Sequence, residues 1–224
     1  MTVFKILAMA DLHDRVEMLE LFNEMNFDLI VFCGDLHNGS NREEARPAAK
    51  ALASIGPPVL IVPGNMDRRD VIPDLWNEAG LINIDRKSYR VGSYGFIGVG
   101  GMVVRNPSRL GDPSKYYHLD DEVYESMATI YPNIIGSAYR IVITHQPPRG
   151  TRDIIYSGER TGSISLRKFV EEYKPDLLLC GHIHEDRGET RLGSTRILNV
   201  GEMRKGYAAS VDIGEIIEIS WIEP

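Results

Sequence analysis

Over the first half of the 224-residue chain, short apolar runs alternate with segments whose apolar residues recur every three or four positions. That alternation predicts strands and helices in turn, the pattern of βα units. Phe4 to Ala8, Leu29 to Cys33 and Val59 to Val62 read as strands. Val16, Leu19 and Phe22 mark one face of a helix from about Arg15 to Asn26. Asn41 followed by Glu44 resembles a capping box for a second helix carrying Ala45, Ala48, Leu52 and Ile55, although Pro47 sits awkwardly inside it. Further on, Tyr94 to Val99, Arg140 to Thr144 and Asp176 to Cys180 read as strands. Leu119, Val123, Met127 and Ile130 recur at helical spacing, and another helix opens near Gly162-Ser163 with Leu166, Phe169, Val170 and Tyr173 as its stripe. The stretch from Arg105 to Tyr117, with two prolines, reads as a long loop.

The tail changes character. Thr190 to Leu192 and Thr195 to Leu198 flank Gly193-Ser194, and Tyr207 to Ile213 and Ile216 to Trp221 flank Gly214, so a β-meander is expected there. Neither an internal repeat nor a linker interrupts the chain. The expectation is one domain over residues 1–224, a layered α/β sandwich with a mixed sheet.

Composition narrows the classes. The chain is 43% hydrophobic and 25% charged, ordinary for a globular protein. A net charge of -7 disfavours a broad grip on nucleic acid, which needs clustered Lys and Arg. The opening run from Met1 to Asp11 is too short for a signal peptide, and no segment approaches the ~20 apolar residues that span a bilayer. Cys33 and Cys180 each end an apolar run and read as buried free thiols, so a reducing cytoplasm is expected.

The chemistry shows in where polar residues fall. Asp11 and His13 follow the first strand, Asp35 the second, and Asn65 and Asp67 the third. His145 follows Ile141 to Thr144, and His182 and His184 follow Leu177 to Cys180. In open α/β sheets ligands bind outside the carboxyl ends of strands, so five strands deliver Asp, Asn and His to one rim. Asp11/His13 and His182/His184 have spacing two, which in an extended segment points both members the same way. Glycines before Asp35, Asn65 and His182 allow close backbone approach. Each piece alone is an ordinary turn signal; their conjunction at strand ends, with four of the six histidines, is not.

The motifs Ala10-Asp11-Leu12-His13, Gly34-Asp35, Gly64-Asn65-Met66-Asp67, His145 and Gly181-His182-Ile183-His184, in that order, resemble the calcineurin-like metallophosphoesterase superfamily. The resemblance implies a layered αββα sandwich with mixed sheets and a pair of divalent ions. Asp11, His13 and His184 would hold one ion, Asn65, His145 and His182 the other, and Asp35 would bridge them. Mixed imidazole, carboxylate and amide ligands suit Mn, Fe, Zn or Co. It further implies hydrolysis of a small phosphorylated substrate, with nucleotide-like compounds among the candidates, by a metal-bridging hydroxide that attacks phosphorus.

Two positions depart from the pattern. Many relatives carry His where this chain has Met66, and that histidine is thought to protonate the leaving group or contact the phosphate. Met66 has no titratable proton. Its presence favours substrates with easier leaving groups, hence a lean towards phosphodiesters. His37, two positions past Asp35, is a candidate substitute, although loop histidines are usually just solvated. Asp67 loses its usual client and is expected to pair with Arg68, Arg69 or another base. Asn199-Val200-Gly201-Glu202 stands where relatives often have Asn-Pro-Gly-Ser. Arg105, Arg149, Arg152, Arg160 and Arg204 lie in segments that could overhang the rim and clamp phosphate. The alternatives are a non-catalytic scaffold on the same fold, or a nuclease.

Overall fold

A computed structural model gives the chain's structure and describes residues 3–22 and 25–224. The first half builds one sheet and its helices: β1 (Phe4–Met9), β2 (Leu29–Phe32), α1 (Arg42–Ala53), β3 (Val59–Ile61), α2 (Ile72–Ala79) and β4 (Ile82–Asn83). The second sheet and its helices come from β5 (Lys87–Val91), β6 (Tyr94–Val99), α3 (Asp120–Ile130), β9 (Tyr139–Thr144), α4 (Ile164–Tyr173), β10 (Leu177–Cys180), β11 (Gly188–Leu192) and β12 (Thr195–Asn199). Two two-residue strands, β7 (Met102–Val103) and β8 (Tyr117–His118), pair only with each other. The chain closes with β13 (Ala208–Ile213) and β14 (Ile217–Ile222), which return to the first sheet.

The strand order is β14-β13-β1-β2-β3-β4 in one sheet and β11-β12-β10-β9-β6-β5 in the other. In the first, β1 to β4 run parallel and β13 and β14 add antiparallel at one edge; in the second, a parallel centre is flanked by antiparallel β11 and β5, so both sheets are mixed. The apolar runs have a simple cause: these strands are covered on both faces, so successive residues must all be apolar. In β1, Ile6 and Ala8 face the other sheet, while Leu7 and Met9 pack under α1 and α2. In β9, Ile141 and Ile143 face inward and Val142 packs under α3 and α4. The layers are therefore helix, sheet, sheet, helix.

Several expectations needed adjustment. The first helix is a short 3-10 segment, Val16–Phe22, burying Leu19 and Phe22; part of its expected extent, residues 23–24, lies outside the described residues. The box at Asn41 and Glu44 forms with both side-chain bonds. That cap and the buried Ala45, Ala48, Ala49 and Leu52 hold α1 through Pro47. The tail is not one meander. β12 joins β10 in parallel, and the chain then crosses to place β13 beside β1. Hairpin signals specify a strand's local partner but not its sheet. Two turns of α2 and the brief β4 and β5 carry too little periodicity to be read. Cys33 and Cys180 are buried and free.

Candidate metal centre

The parallel strands of both sheets end at one rim, and the first residues beyond them turn sharply. Asp11 (φ 58), His13 (φ 49), Asp35 (φ 55) and His182 (φ 69) all adopt left-handed backbone, although none is glycine. This corrects the extended geometry expected for the two spacing-two pairs: a residue at the end of a strand here reverses direction to aim its side chain across the rim. Such strain, ~1–3 kcal/mol each, persists only where the surroundings enforce it, and it clusters at functional sites. The enforcement is visible. Asp11 N–H donates to Gly34 O at 2.9 Å and His13 N–H to Asp35 O at 3.1 Å, so the ends of β1 and β2 are tied together.

Glycine permits the approach. A Cβ on Gly64 would lie 2.1 Å from Asp35 Oδ1, and one on Gly181 would lie 2.5 Å from Asp11 Oδ2. On Gly34 it would meet Gly64 N at 2.6 Å and His145 Nδ1 at 2.7 Å. Any side chain there would drive the polar groups apart.

All seven donors named from the sequence converge. His184 Nε2 lies 3.1 Å from Asp11 Oδ1, and His13 Nε2 lies 3.8 Å from Asp11 Oδ1 and 3.9 Å from Asp35 Oδ2. His145 Nε2 lies 3.5 Å from Asp35 Oδ2, 3.1 Å from Asn65 Oδ1 and 3.1 Å from His182 Nδ1. Asp35 stands between the two clusters. Two sets, Asp11/His13/His184 and Asp11/Asp35/His145, bring their ligand atoms within 4.8 Å of one another. Asp11 thus closes towards both clusters.

The contacts behind these rings decide what can sit in front of them. His145 Nδ1 faces Cys33 O at 2.8 Å, so in the neutral ring it carries the proton and Nε2 presents a lone pair to the rim. That lone pair faces the oxygens of Asn65 and Asp35. His184 Nδ1 likewise faces Glu202 Oε2 at 3.3 Å, leaving Nε2 against a carboxylate. Asp11 Oδ1 is buried without a hydrogen bond, as is His13 Nδ1. Acceptors pointing at acceptors require positive charge between them, either a proton or a metal cation. The donor chemistry fits divalent ions of the Mn, Fe, Zn and Co type.

The field at the rim agrees. Burial opposes a charge on His145, yet Asp35 and Asp11 outweigh it and raise the imidazole to about 9. Burial also opposes ionisation of Asp35, but His145, His13 and the Met66 N–H hold it down to about 2. His182, desolvated and beside His145, is pushed down to about 4.

The two further candidates lie behind the rim. His37 is buried, with Nδ1 3.0 Å from Asp14 Oδ1 and Nε2 accepting from Trp76 Nε1 at 3.1 Å, so neither nitrogen is free to reach a substrate. Asp67 pairs with neither Arg68 nor Arg69. Its carboxylate accepts from the main-chain N–H of Asp35, Gly64 and His37 at 2.8–2.9 Å, clamping the β2 and β3 loops together. Arg68 instead holds Asp70, and Arg69 donates to Tyr117 O. The Met66 sulfur is contacted by the Lys115 ammonium.

Glu202 was not read as functional. It also binds Arg204 and Lys205, and the connection carrying it is zipped to the rim by Met203 N–H on Ala10 O and Arg204 N–H on Asp11 O. Its departure from the Asn-Pro-Gly-Ser pattern was the available signal.

Among known proteins, the calcineurin-like phosphoesterase family model matches residues 4–186. An uncharacterised protein of Methanocaldococcus jannaschii is 30% identical over 201 residues, covering 87% of each chain. Among solved structures, a Thermus thermophilus protein superposes with a TM-score of 0.75 at 17% identity, covering 98% of this chain and 99% of that one. A dimetal phosphatase from Danio rerio does so at 0.66 and 10% identity, covering 99% and 96%. These structures share the fold, and the family model spans every motif of the rim: the chain belongs to the calcineurin-like phosphoesterase family.

Proposed function

We propose that the chain, as one domain over residues 1–224, hydrolyses phosphoric esters of small molecules with two divalent ions, leaning towards diesters. Asp11, His13 and His184 hold one ion, Asn65, His145 and His182 the other, and Asp35 lies between them. When bound, the pair supplies positive charge opposite a phosphoryl group and lowers the pKa of the water that attacks phosphorus. The observation that carries this reading is the acceptor-to-acceptor contact of His145 and His184 with Asn65, Asp35 and Asp11.

The chain's own residues prepare the site. Cys33 O sets the tautomer of neutral His145, and Glu202 beside His184 Nδ1 favours a proton there, so both Nε2 atoms face the rim. Met66 N–H, 2.7 Å from Asp35 Oδ1, fixes one oxygen of the shared carboxylate and leaves Oδ2 for the donors around it. Asp67 holds the loops that carry Asp35 and Asn65. The lean towards diesters rests on Met66, which cannot donate a proton to a poor leaving group. Beside His182 lies a half-open groove of about 410 Å³, a size suited to a small substrate rather than a nucleic-acid duplex. No described helix is long and apolar enough to cross a membrane.

The test is reconstitution with Mn, Fe, Zn or Co, followed by metal analysis and turnover of a chromogenic phosphodiester and phosphomonoester. Two ions per chain with faster diester turnover is expected. Strong monoester preference, unchanged by Met66→His, would remove the diester lean; bound metal without turnover of any ester would favour a scaffold.

A further inference from the structure

Of the five arginines in segments that overhang the rim, four have internal partners. Arg152 is held by Glu189 O and Asp186, Arg160 by Asp153 and Arg204 by Glu202, while Arg149 donates one nitrogen to Arg160 O. Arg105 alone has no hydrogen bond or ion pair among the described residues. It is exposed, and it lines the groove that His182 and Ile183 close at the metal end. It also lines an adjoining cavity of about 250 Å³ that ends at Arg149.

The free guanidinium springs from a fixed base. Val104 N–H donates to His118 O at 3.0 Å, and the Asn106 side chain accepts from Ser108 N–H, so the backbone on both sides of Arg105 is held. The groove is also registered to the metal centre. Gln146, next to His145, accepts from Val103 N–H at 3.0 Å and donates to Thr161 O at 2.6 Å, strapping opposite walls to a residue adjoining the rim. Arg109, on the same wall, is occupied by the Tyr117 ring and hydroxyl. Two carboxylates also line these spaces. Asp120 is spent on Ser163 and Ser165, and Glu159 lines the groove together with Arg105 and Arg109.

We propose that this groove binds a second anionic group on the substrate, a carboxylate or further phosphate distal to the scissile ester, and that Arg105 is its principal contact. A planar fork with no internal acceptor suits either anion. This rests on the hydrolase reading and adds the substrate class: organophosphates carrying a remote negative charge.

The experiment compares aryl phosphate esters whose para arm, of equal length, ends in a carboxylate or its neutral methyl ester. Turnover by the metal-loaded enzyme is measured with Arg105, Arg105→Ala and Arg105→Glu. A charge-assisted contact predicts about a tenfold or larger kcat/KM preference for the charged arm, carried by KM. The ratio should fall to near one in Arg105→Ala and reverse in Arg105→Glu. Absence of preference in the wild type, or a ratio unmoved by either variant, overturns the proposal. Calorimetric binding of the matching non-hydrolysable phosphonates separates the two claims. A charged-arm preference that depends on Arg105, without turnover of any ester, sinks the hydrolase reading and sustains the groove. Turnover without discrimination does the reverse.

Discussion

At the metal rim every donor follows the end of a buried parallel strand, whereas the groove wall beside it hangs from β7 and β8, two residues each. The rim is tied down by main-chain bonds between loops and by carboxylates behind them. Its left-handed residues are strained, and its glycines leave no room for a methyl group. The wall from Met102 to His118 instead presents exposed side chains on a lightly paired ribbon, anchored through Gln146 and His118. The difference separates two tasks under the proposed function: rigid strand ends would set the chemistry, and the wall would distinguish one ester from another.

The strongest way to break that division is at Asp35. Asp35→Asn removes the charge shared by both clusters; turnover should fall by about 10³-fold or more and at least one ion should be lost, read by kinetics and metal analysis. A variant that kept two ions and its rate would end the distinction. Next, Gly64→Ala and Gly111→Ala place the same methyl group in the two regions. At Gly64 it collides with Asp35, and unfolding free energy should drop by about 3 kcal/mol. At Gly111 nothing lies within 4 Å, and the change should stay within about 0.5 kcal/mol by denaturant titration. Equal effects would show that the wall is packed as tightly as the rim.

Glu202→Gln sharpens the comparison from behind. It leaves the shape but weakens the acceptor on His184 Nδ1, so metal affinity should fall about 10–100-fold by competition with a chelator. An unchanged affinity would make Glu202 an anchor for Arg204 and Lys205 only. The most gradual effect belongs to the wall. Burial, with Arg86 and Arg69 nearby, lowers His118 to about 3. Its folded pKa lies below the ordinary value of 6.5, so its contribution is present above pH 6.5 and is lost as pH falls towards 3. Wild type should lose about 1.4 kcal/mol per pH unit from this group across that window, and His118→Gln should flatten the slope. Parallel stability curves for the two proteins would contradict the assignment.

What could be read in the sequence follows the same line. Asp11, Asp35, Asn65, His145, His182 and His184 were legible because a covered parallel strand writes a continuous apolar run, and a polar residue at its end stands out. The two-sheet layering came from the order of motifs; β12 and β13 show why local signals alone could not supply it, since each is specified by its hairpin and not by the sheet it joins. His37 was misread because nothing local announces that Asp14 and Trp76 enclose it. Glu202 was missed because it meets His184 only when the chain, past β12, crosses between sheets. Among five arginines, only three-dimensional bookkeeping of acceptors distinguishes Arg105.

Anomalous diffraction at the manganese edge, from crystals grown with Mn, addresses the shared site most directly. Two peaks should flank the Asp35 carboxylate, one against Asp11, His13 and His184 and the other against Asn65, His145 and His182. A single peak, or peaks away from Asp35, would show that the rim does not hold a carboxylate-bridged pair.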